Sequence, residues 1–268
     1  MTYPFLKGHG TENDFVLLPD HDGSVHGDLS ADRVRALCDR RAGIGGDGVL
    51  RVVRSDTSDA EWFMDYRNAD GSRSEMCGNG IRLFARHLVD EGLVDGSAPI
   101  PIGTRDGVKL VTVDGDAITA DLGTPKVLGE TTVSVGHLEL GARHVDMGNP
   151  HAVAFVTSLD EAGPLLVAPD HDPLVYPEGV NVEFVVRRGE RHLAMRVHER
   201  GSGETRSCGT GAGAVMVAAA VADAATREDD VTYRVDVPGG TLSVTWTVDD
   251  LVLLTGPAVV VAKGETDL

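Results

Sequence analysis

The sequence predicts an α+β protein made of two similar halves, each a β-rich unit around one helix. Three observations predict this. Short runs of β-branched and aromatic residues, separated by turn residues, fill most of the 268-residue chain. Helical periodicity is confined to three segments. Two of those helices start alike, directly after a cysteine in a glycine-rich turn: Cys77-Gly78-Asn79-Gly80 and Cys208-Gly209-Thr210-Gly211.

Along the first half, strands are expected at Phe15–Leu18, Val49–Val53, Trp62–Tyr66, Lys109–Val113 and Ala117–Leu122, with an Asp114-Gly115 hairpin between the last two. The second half repeats the texture at Ala152–Val156, Val182–Val186, Leu193–His198, Val231–Val237, Leu242–Val248 and Leu251–Thr255. The first helix, Ser30–Arg40, follows a serine cap. The second runs from about Gly78 to Glu91, with Ile81, Phe84, Ala85 and Leu88 on one face. The third, about Gly209 to Ala224, is apolar nearly all round and is expected to be buried. The likeness of the halves extends upstream: Asn68 lies nine residues before Cys77, and Glu199 nine before Cys208. Asn13-Asp14-Phe15-Val16 and Asn149-Pro150-His151-Ala152-Val153 precede the two cysteines at similar distances, as an internal duplication requires. The expected domains are 1–122, joined by a returning strand at about 258–268, and 123–257.

Composition narrows the function. The net charge of −18, with four lysines (Lys7, Lys109, Lys126, Lys263) and no basic run, excludes nucleic acid and an anionic membrane surface as partners. The first residues do not read as a signal peptide and no stretch reaches membrane-spanning length, so a soluble, cytoplasmic protein is expected. Three cysteines are too few for a disulfide framework. Cys38, inside the first helix, reads as core packing.

The paired cysteine turns carry chemistry. A helix N-terminus offers unpaired amide donors and a partial positive charge, which lower a cysteine pKa and bind a carboxylate. Two such turns facing each other would hold a small acid with one sulfur on each side of its α-carbon. Inverting a stereocentre needs proton removal on one face and delivery on the other, which Cys77 and Cys208 can perform as thiolate base and thiol acid. The amides at both helix ends would stabilise the carbanion. A metal site is not expected, because no close Cys-X-X-Cys or His-X-X-X-His pair occurs. Asn13, Asn68, Asn149 and Asn181 also have a plain reading as turn residues, and Glu199-Arg200 as a surface pair.

At these residues the chain resembles the diaminopimelate epimerase family. The motifs are Lys7-Gly8-His9-Gly10-Thr11-Glu12-Asn13-Asp14-Phe15, Cys77-Gly78-Asn79-Gly80-Ile81-Arg82, Gly148-Asn149-Pro150-His151, Gly179-Val180-Asn181-Val182-Glu183-Phe184, and Glu199-Arg200-Gly201 leading to Ser207-Cys208-Gly209-Thr210-Gly211. The resemblance implies two pseudo-symmetric domains, each a β-barrel around a central helix, with the active site in the cleft between them. It implies a cofactor-independent isomerase interconverting LL- and meso-diaminopimelate for lysine and cell-wall synthesis, with Cys77 and Cys208 as the acid/base pair. Gly78, Asn79, Gly209 and Thr210 would hold the reacting carboxylate. Asn13, Asn68, Asn149, Asn181, Glu199 and Arg200 would bind the rest of the substrate, and His151 and Glu199 would tune the cysteine pKa values. Members of the family often form homodimers, and nothing in the sequence marks that interface. The chain departs from the family pattern at Gly48, where many members carry Gln, and at Ala152, where many carry Cys. The rival readings are a proline-type racemase and a redox or metal-binding dithiol protein. Arg200 beside Glu199 argues for a substrate with a second carboxylate and a second amino group.

Overall fold

The computed structural model describes residues 2–225 and 228–268, and it divides into two compact units, Met1–Ala120 with Gly256–Leu268, and Asp121–Thr255. The first unit contains β1 (Tyr3–Gly10), β2 (Asn13–Pro19), α1 (Ala31–Cys38), β3 (Gly48–Arg54), β4 (Trp62–Asn68), α2 (Gly78–Asp90), β5 (Ile100–Thr104), β6 (Gly107–Asp114) and β7 (Ala117–Asp121). The second contains β8 (Lys126–Val135), β9 (Leu138–Asp146), β10 (Pro150–Phe155), β11 (Asp170–His171), β12 (Asn181–Gly189), β13 (His192–Glu199), β14 (Gly203–Thr205), α3 (Gly209–Ala222), β15 (Val231–Val237), β16 (Gly240–Trp246) and β17 (Val252–Gly256). The last strand, β18 (Val259–Thr266), pairs antiparallel with β1.

The pairing pattern demonstrates the duplication. In the first unit the sheet order β18-β1-β2-β3-β4-β5-β6-β7 runs antiparallel, antiparallel, parallel, antiparallel, parallel, antiparallel, antiparallel. In the second unit β8-β9-β10-β12-β13-β15-β16-β17 repeats those senses in the same order. A parallel neighbour demands a crossover connection. Between β4 and β5 it is α2; between β13 and β15 it is α3. Each helix lies inside its own sheet: α2 packs on β1 to β6 and β18, and α3 on β9, β10, β12, β13, β15 and β16.

Burial explains the two helix sequences. α2 buries Ile81, Leu83, Phe84, Ala85 and Leu88 among Phe15, Leu17, Leu50, Trp62, Met64, Ile102 and Ile118. Each fully buried side chain of that size stabilises the fold by about 1.5–3 kcal/mol. α3 has nearly every residue from Gly211 to Ala220 buried, which accounts for its lack of a polar face. Small residues there let the surrounding strands approach. Cys38 is buried in a separate cluster with Val34, Leu37 and Val49, as core packing requires, and burial pushes its thiol up to about 12.

Three expectations need amendment. Strands β1, β5, β8, β9, β11 and β14 had no prediction. β8 is the clearest case: most of its ten residues are exposed or half-exposed, so it shows little apolar alternation. α1 ends at Cys38 rather than Arg40, and α3 at Ala222 rather than Ala224. The Asp114-Gly115 hairpin forms as expected, with Gly115 at φ 55°. Among the described residues no helix is long and apolar enough to cross a membrane.

The same burial predicts acid sensitivity. His87 on α2 is 2% exposed, neither of its ring nitrogens has a partner among the described residues, and burial pushes its imidazole down to about 4. An unfolded histidine titrates near 6.5. The folded-state value is depressed, so the neutral ring's contribution is complete above about pH 6.5 and is lost as pH falls toward 4. Urea unfolding at pH 7, 5.5 and 4 is expected to show this loss, and His87→Leu to remove up to about 3 kcal/mol of it. An unchanged pH slope in His87→Leu would mean that other groups dominate.

Candidate active site

Each unit builds the same device from its sequence. In the first, Cys77 is the N-cap of α2 with extended backbone (φ −142°, ψ 119°), and its Sγ accepts the Gly80 N–H at 3.4 Å. In the second, Cys208 caps α3 (φ −115°, ψ 117°), and its Sγ accepts the Gly211 N–H at 3.3 Å. The sulfur stands where a serine or aspartate oxygen usually stands, so helix-start amides point at it. The first intrahelical bonds begin at Ile81 and Ala212, which leaves the amides of Gly78, Asn79, Gly209 and Thr210 in the first turn.

Equivalent strands deliver equivalent residues. β2 starts at Asn13 and β10 at Pro150, just after Asn149. Gly48 opens β3 where Asn181 opens β12, and Asn68 and Glu199 end β4 and β13. The equal spacing of Asn68 and Glu199 from their cysteines therefore reflects one shared strand-to-helix connection. The β1–β2 hairpin that presents Asn13 has a two-residue turn, Thr11 and Glu12, both left-handed at φ 47° and 61°. A tight two-residue hairpin favours left-handed backbone at both central positions, which is met here without glycine.

In the first unit Asn13 Oδ1 accepts from Asn79 Nδ2 at 3.1 Å and lies 3.7 Å from Cys77 Sγ, while Asn13 Nδ2 donates to Asp47 Oδ2 at 2.7 Å. Asn79 is fully buried, with Oδ1 accepting from Arg82 Nη2 at 2.9 Å. Its side chain thus supports the cysteine turn from behind, and the Asn79 backbone amide is the group in the helix's first turn. Asn68 Nδ2 donates to Ser72 Oγ at 3.0 Å at the end of β4. A Cβ at Gly48 would lie 2.5 Å from the Arg67 carbonyl oxygen and 2.8 Å from Tyr66 Cε2. The present β3–β4 spacing therefore has no room for the family's Gln at this position.

In the second unit His151 and Glu183 are both fully buried, with Nδ1 and Oε1 2.6 Å apart. His151 Nε2 meets Asn149 Oδ1 at 3.0 Å. Burial pushes the Glu183 carboxyl up, and His151 beside it pulls in the opposite direction. Asn181 bridges backbones: its Nδ2 donates to the Pro150 carbonyl at 3.0 Å and its Oδ1 accepts from the Arg200 N–H at 3.0 Å. Thr205 donates its hydroxyl to Glu199 Oε1. The Arg200 guanidinium is exposed and reaches the Glu178 carbonyl at 3.5 Å.

Cys208 corrects one expectation. Its position at a helix start predicts a lowered pKa, yet burial, followed by Glu199 and then Glu183, pushes the thiol well up. Two carboxylates and the loss of water outweigh the helix amides and Thr210. Two groups at the site had no role assigned from sequence, Arg82 and Glu183. Each is a charged residue inside an otherwise apolar run, Ile81-Arg82-Leu83-Phe84 and Val182-Glu183-Phe184-Val185, and that interruption is the signal available in the sequence.

Comparison with known proteins agrees with the geometry. The family model described as diaminopimelate epimerase matches residues 5–128 and 143–261. A curated relative of that name from Streptomyces coelicolor is 57% identical over 98% of this chain and 95% of its own, and one from Corynebacterium glutamicum is 46% identical over 100% and 99%. Among solved structures, a phenazine biosynthesis protein of the PhzF family from Bacillus anthracis superposes with a TM-score of 0.75 at 17% identity, covering 100% of both chains. A hydroxyproline epimerase from Agrobacterium vitis gives 0.72 at 15% identity, over 99% of this chain and 92% of that one. These two share the fold. With the duplicated cysteine caps and a match along nearly the whole sequence, the chain belongs to the diaminopimelate epimerase family.

Proposed function

We propose that this protein is a diaminopimelate epimerase that interconverts LL- and meso-2,6-diaminoheptanedioate without a cofactor, in lysine and cell-wall precursor synthesis. The observation that carries the reading is the duplicated device: one cysteine N-cap in each unit, whose sulfur accepts an N–H of the helix start. Each unit supplies one cysteine of the proposed acid/base pair. One cysteine, as thiolate, takes the α-proton and becomes a thiol. The electron pair left on carbon spreads into the substrate carboxylate, held by the helix-start amides of Gly78, Asn79, Gly209 and Thr210. The other cysteine gives its thiol proton to the opposite face and becomes the thiolate, so the enzyme ends with the two roles exchanged. Both sulfurs must be reduced to work, which fits a cytoplasmic enzyme. Asn13, Asn68, Asn149, Asn181, Glu199 and Arg200 bind the substrate, the acidic and basic pair taking the distal ammonium and carboxylate. His151 acts through its buried partner Glu183, which with Glu199 sets the protonation of Cys208.

The test is turnover of LL-diaminopimelate in heavy water, with deuterium expected at the inverted α-carbon only, in wild type and in Arg200→Ala. The exposed guanidinium makes few contacts, so the variant is expected to fold normally and lose about 100-fold in kcat/KM, roughly 3 kcal/mol of binding to a second carboxylate. Turnover of proline with none of diaminopimelate would overturn the substrate assignment. Full efficiency in Arg200→Ala would place the distal clamp elsewhere.

A further inference from the structure

The two units share one frame of strands and helix, but at one pair of positions they fill it with opposite chemistry. In the parallel β2–β3 ladder Phe15 stands opposite Gly48, and Leu50 follows two residues on. In the parallel β10–β12 ladder His151 stands opposite Asn181, and Glu183 follows two residues on. The helix starts give the same match. A Cβ on Gly80, three residues after Cys77, would meet Leu50 Cδ2 at 3.2 Å, and one on Gly211, three after Cys208, would meet Glu183 Oε1 at 2.8 Å. All four side chains are fully buried. Phe15 and Leu50 belong to the apolar core of the first unit, so the frame is complete with an apolar pair at these positions. The second unit instead buries two ionisable groups, and Glu183 Oε2 has no partner among the described residues. A buried pair of this kind adds little stability over well-packed apolar residues of similar volume. Its place in the second unit calls for another reason than the fold.

What the pair holds is Asn149. Glu183 Oε1 and His151 Nδ1 are 2.6 Å apart, and His151 Nε2 lies 3.0 Å from Asn149 Oδ1. The Asn149 oxygen has no proton to give, so Nε2 carries one. The contact between Nδ1 and Oε1 shares a second proton, whichever of the two atoms holds it. Glu183 thereby occupies Nδ1 and keeps the ring from becoming an acceptor at Nε2. Asn149 is half-buried, and its Nδ2 bonds to no described residue. With its carbonyl held by the ring, it presents N–H donors and no acceptor, which suits a carboxylate and not an ammonium. In the first unit, where Phe15 cannot hold an amide, Asn13 is turned the other way: its Nδ2 donates to Asp47 Oδ2 at 2.7 Å and its Oδ1 accepts from Asn79 Nδ2 at 3.1 Å. The duplicated asparagines therefore carry opposite polarity.

We propose that Glu183 is a positioning residue: through His151 it fixes the Asn149 amide so that its N–H groups are offered to a carboxylate of the substrate. The purpose rests on the epimerase reading, and the amide orientation is measurable without turnover. The test reads the Kd of diaminopimelate rather than kcat, because Glu183 also bears on Cys208. Asn149→Ala is expected to weaken binding about 10–100-fold, the range for a hydrogen bond to a charged group. His151→Phe combined with Glu183→Leu, which installs the apolar pair of the first unit, is expected to fold with an unfolding midpoint at or above that of wild type and to weaken binding by the same factor. Both changes act through one amide, so adding Asn149→Ala to this variant is expected to weaken binding by no more than about twofold further. Glu183→Gln, which keeps a hydrogen-bonding partner for Nδ1, is expected to recover most of the affinity. Losses that multiply would mean that the pair serves binding by another route, and that result overturns the proposal. If the apolar pair does not fold, the 15N chemical shifts of His151 in wild type decide. A protonated Nε2 supports the arrangement; a bare Nε2 overturns it, because Asn149 would then turn its N–H groups to the ring. A protonated Nε2 in a protein that neither binds nor turns over diaminopimelate would sink the substrate assignment and leave the orientation of Asn149 standing.

Discussion

Cys77→Ala and Cys208→Ala are each expected to abolish epimerisation, with kcat falling by about 10⁴-fold, the upper range for loss of a positioned acid or base. Either substitution deprives one face of the α-carbon of its proton carrier, so the remaining sulfur removes or delivers a proton but cannot do both. Serine separates the two functions. As an N-cap it accepts the Gly80 or Gly211 amide at least as well as sulfur does, so folding is preserved. Its hydroxyl is a poor base at neutral pH. Each Cys→Ser variant should still promote loss of the α-proton and halide from a β-halogenated analogue when the intact cysteine faces that proton. The two variants should then select analogues of opposite configuration at the reacting carbon. Equal activity of both variants on one stereoisomer would mean the cysteines do not serve opposite faces.

A single methyl group at Gly211 is expected to be nearly as damaging, although it touches no substrate. Its Cβ would lie 2.8 Å from Glu183 Oε1 and 3.2 Å from Cys208 Sγ, and Glu183 cannot retreat because it is fully buried against His151. The sulfur or the carboxyl must shift by several tenths of an ångström. Misplacing a reacting group by about 1 Å costs on the order of 100-fold, and Gly211→Ala should lose about that factor in kcat. Its stability should change little, because alanine favours a helix by about 1 kcal/mol over glycine and offsets part of the strain. The equivalent glycine of the first unit gives the control. A Cβ at Gly80 meets Leu50 Cδ2 at 3.2 Å and Cys77 Cβ at 3.5 Å, so Gly80→Ala presses on a flexible apolar side chain rather than a buried carboxyl. It should retain much more activity. Equal losses in the two variants, measured as kcat with unfolding midpoints alongside, would show that the Glu183 contact is not what makes Gly211 necessary.

The pattern of glycine, cysteine and asparagine was legible in the sequence because it is local. A cysteine followed by Gly-X-Gly and an apolar periodic run marks a helix start whatever surrounds it, and finding it twice, with Asn68 and Glu199 at one offset, revealed the duplication. The buried character of α3 was equally legible, since a helix with no polar face has no stable place in water. Strands such as β8 escaped notice because backbone pairing with β9, rather than an alternating apolar face, holds them.

What the sequence determined by itself was the repeated unit, the two capping cysteines and the kind of reaction that such a pair performs. Only the tertiary structure decided which charges surround each sulfur. Arg82 lies five residues from Cys77, and its full burial comes from packing of its helix against strands spread from β1 to β18. Glu183 lies 25 residues before Cys208 and reaches its helix start only because β12 runs parallel to β10, beside His151. A helix start always favours a thiolate, but desolvation and buried charge act more strongly at short range, and neither is written in local sequence. For that reason the helix-start rule placed both cysteines correctly and gave the wrong direction for the pKa of Cys208.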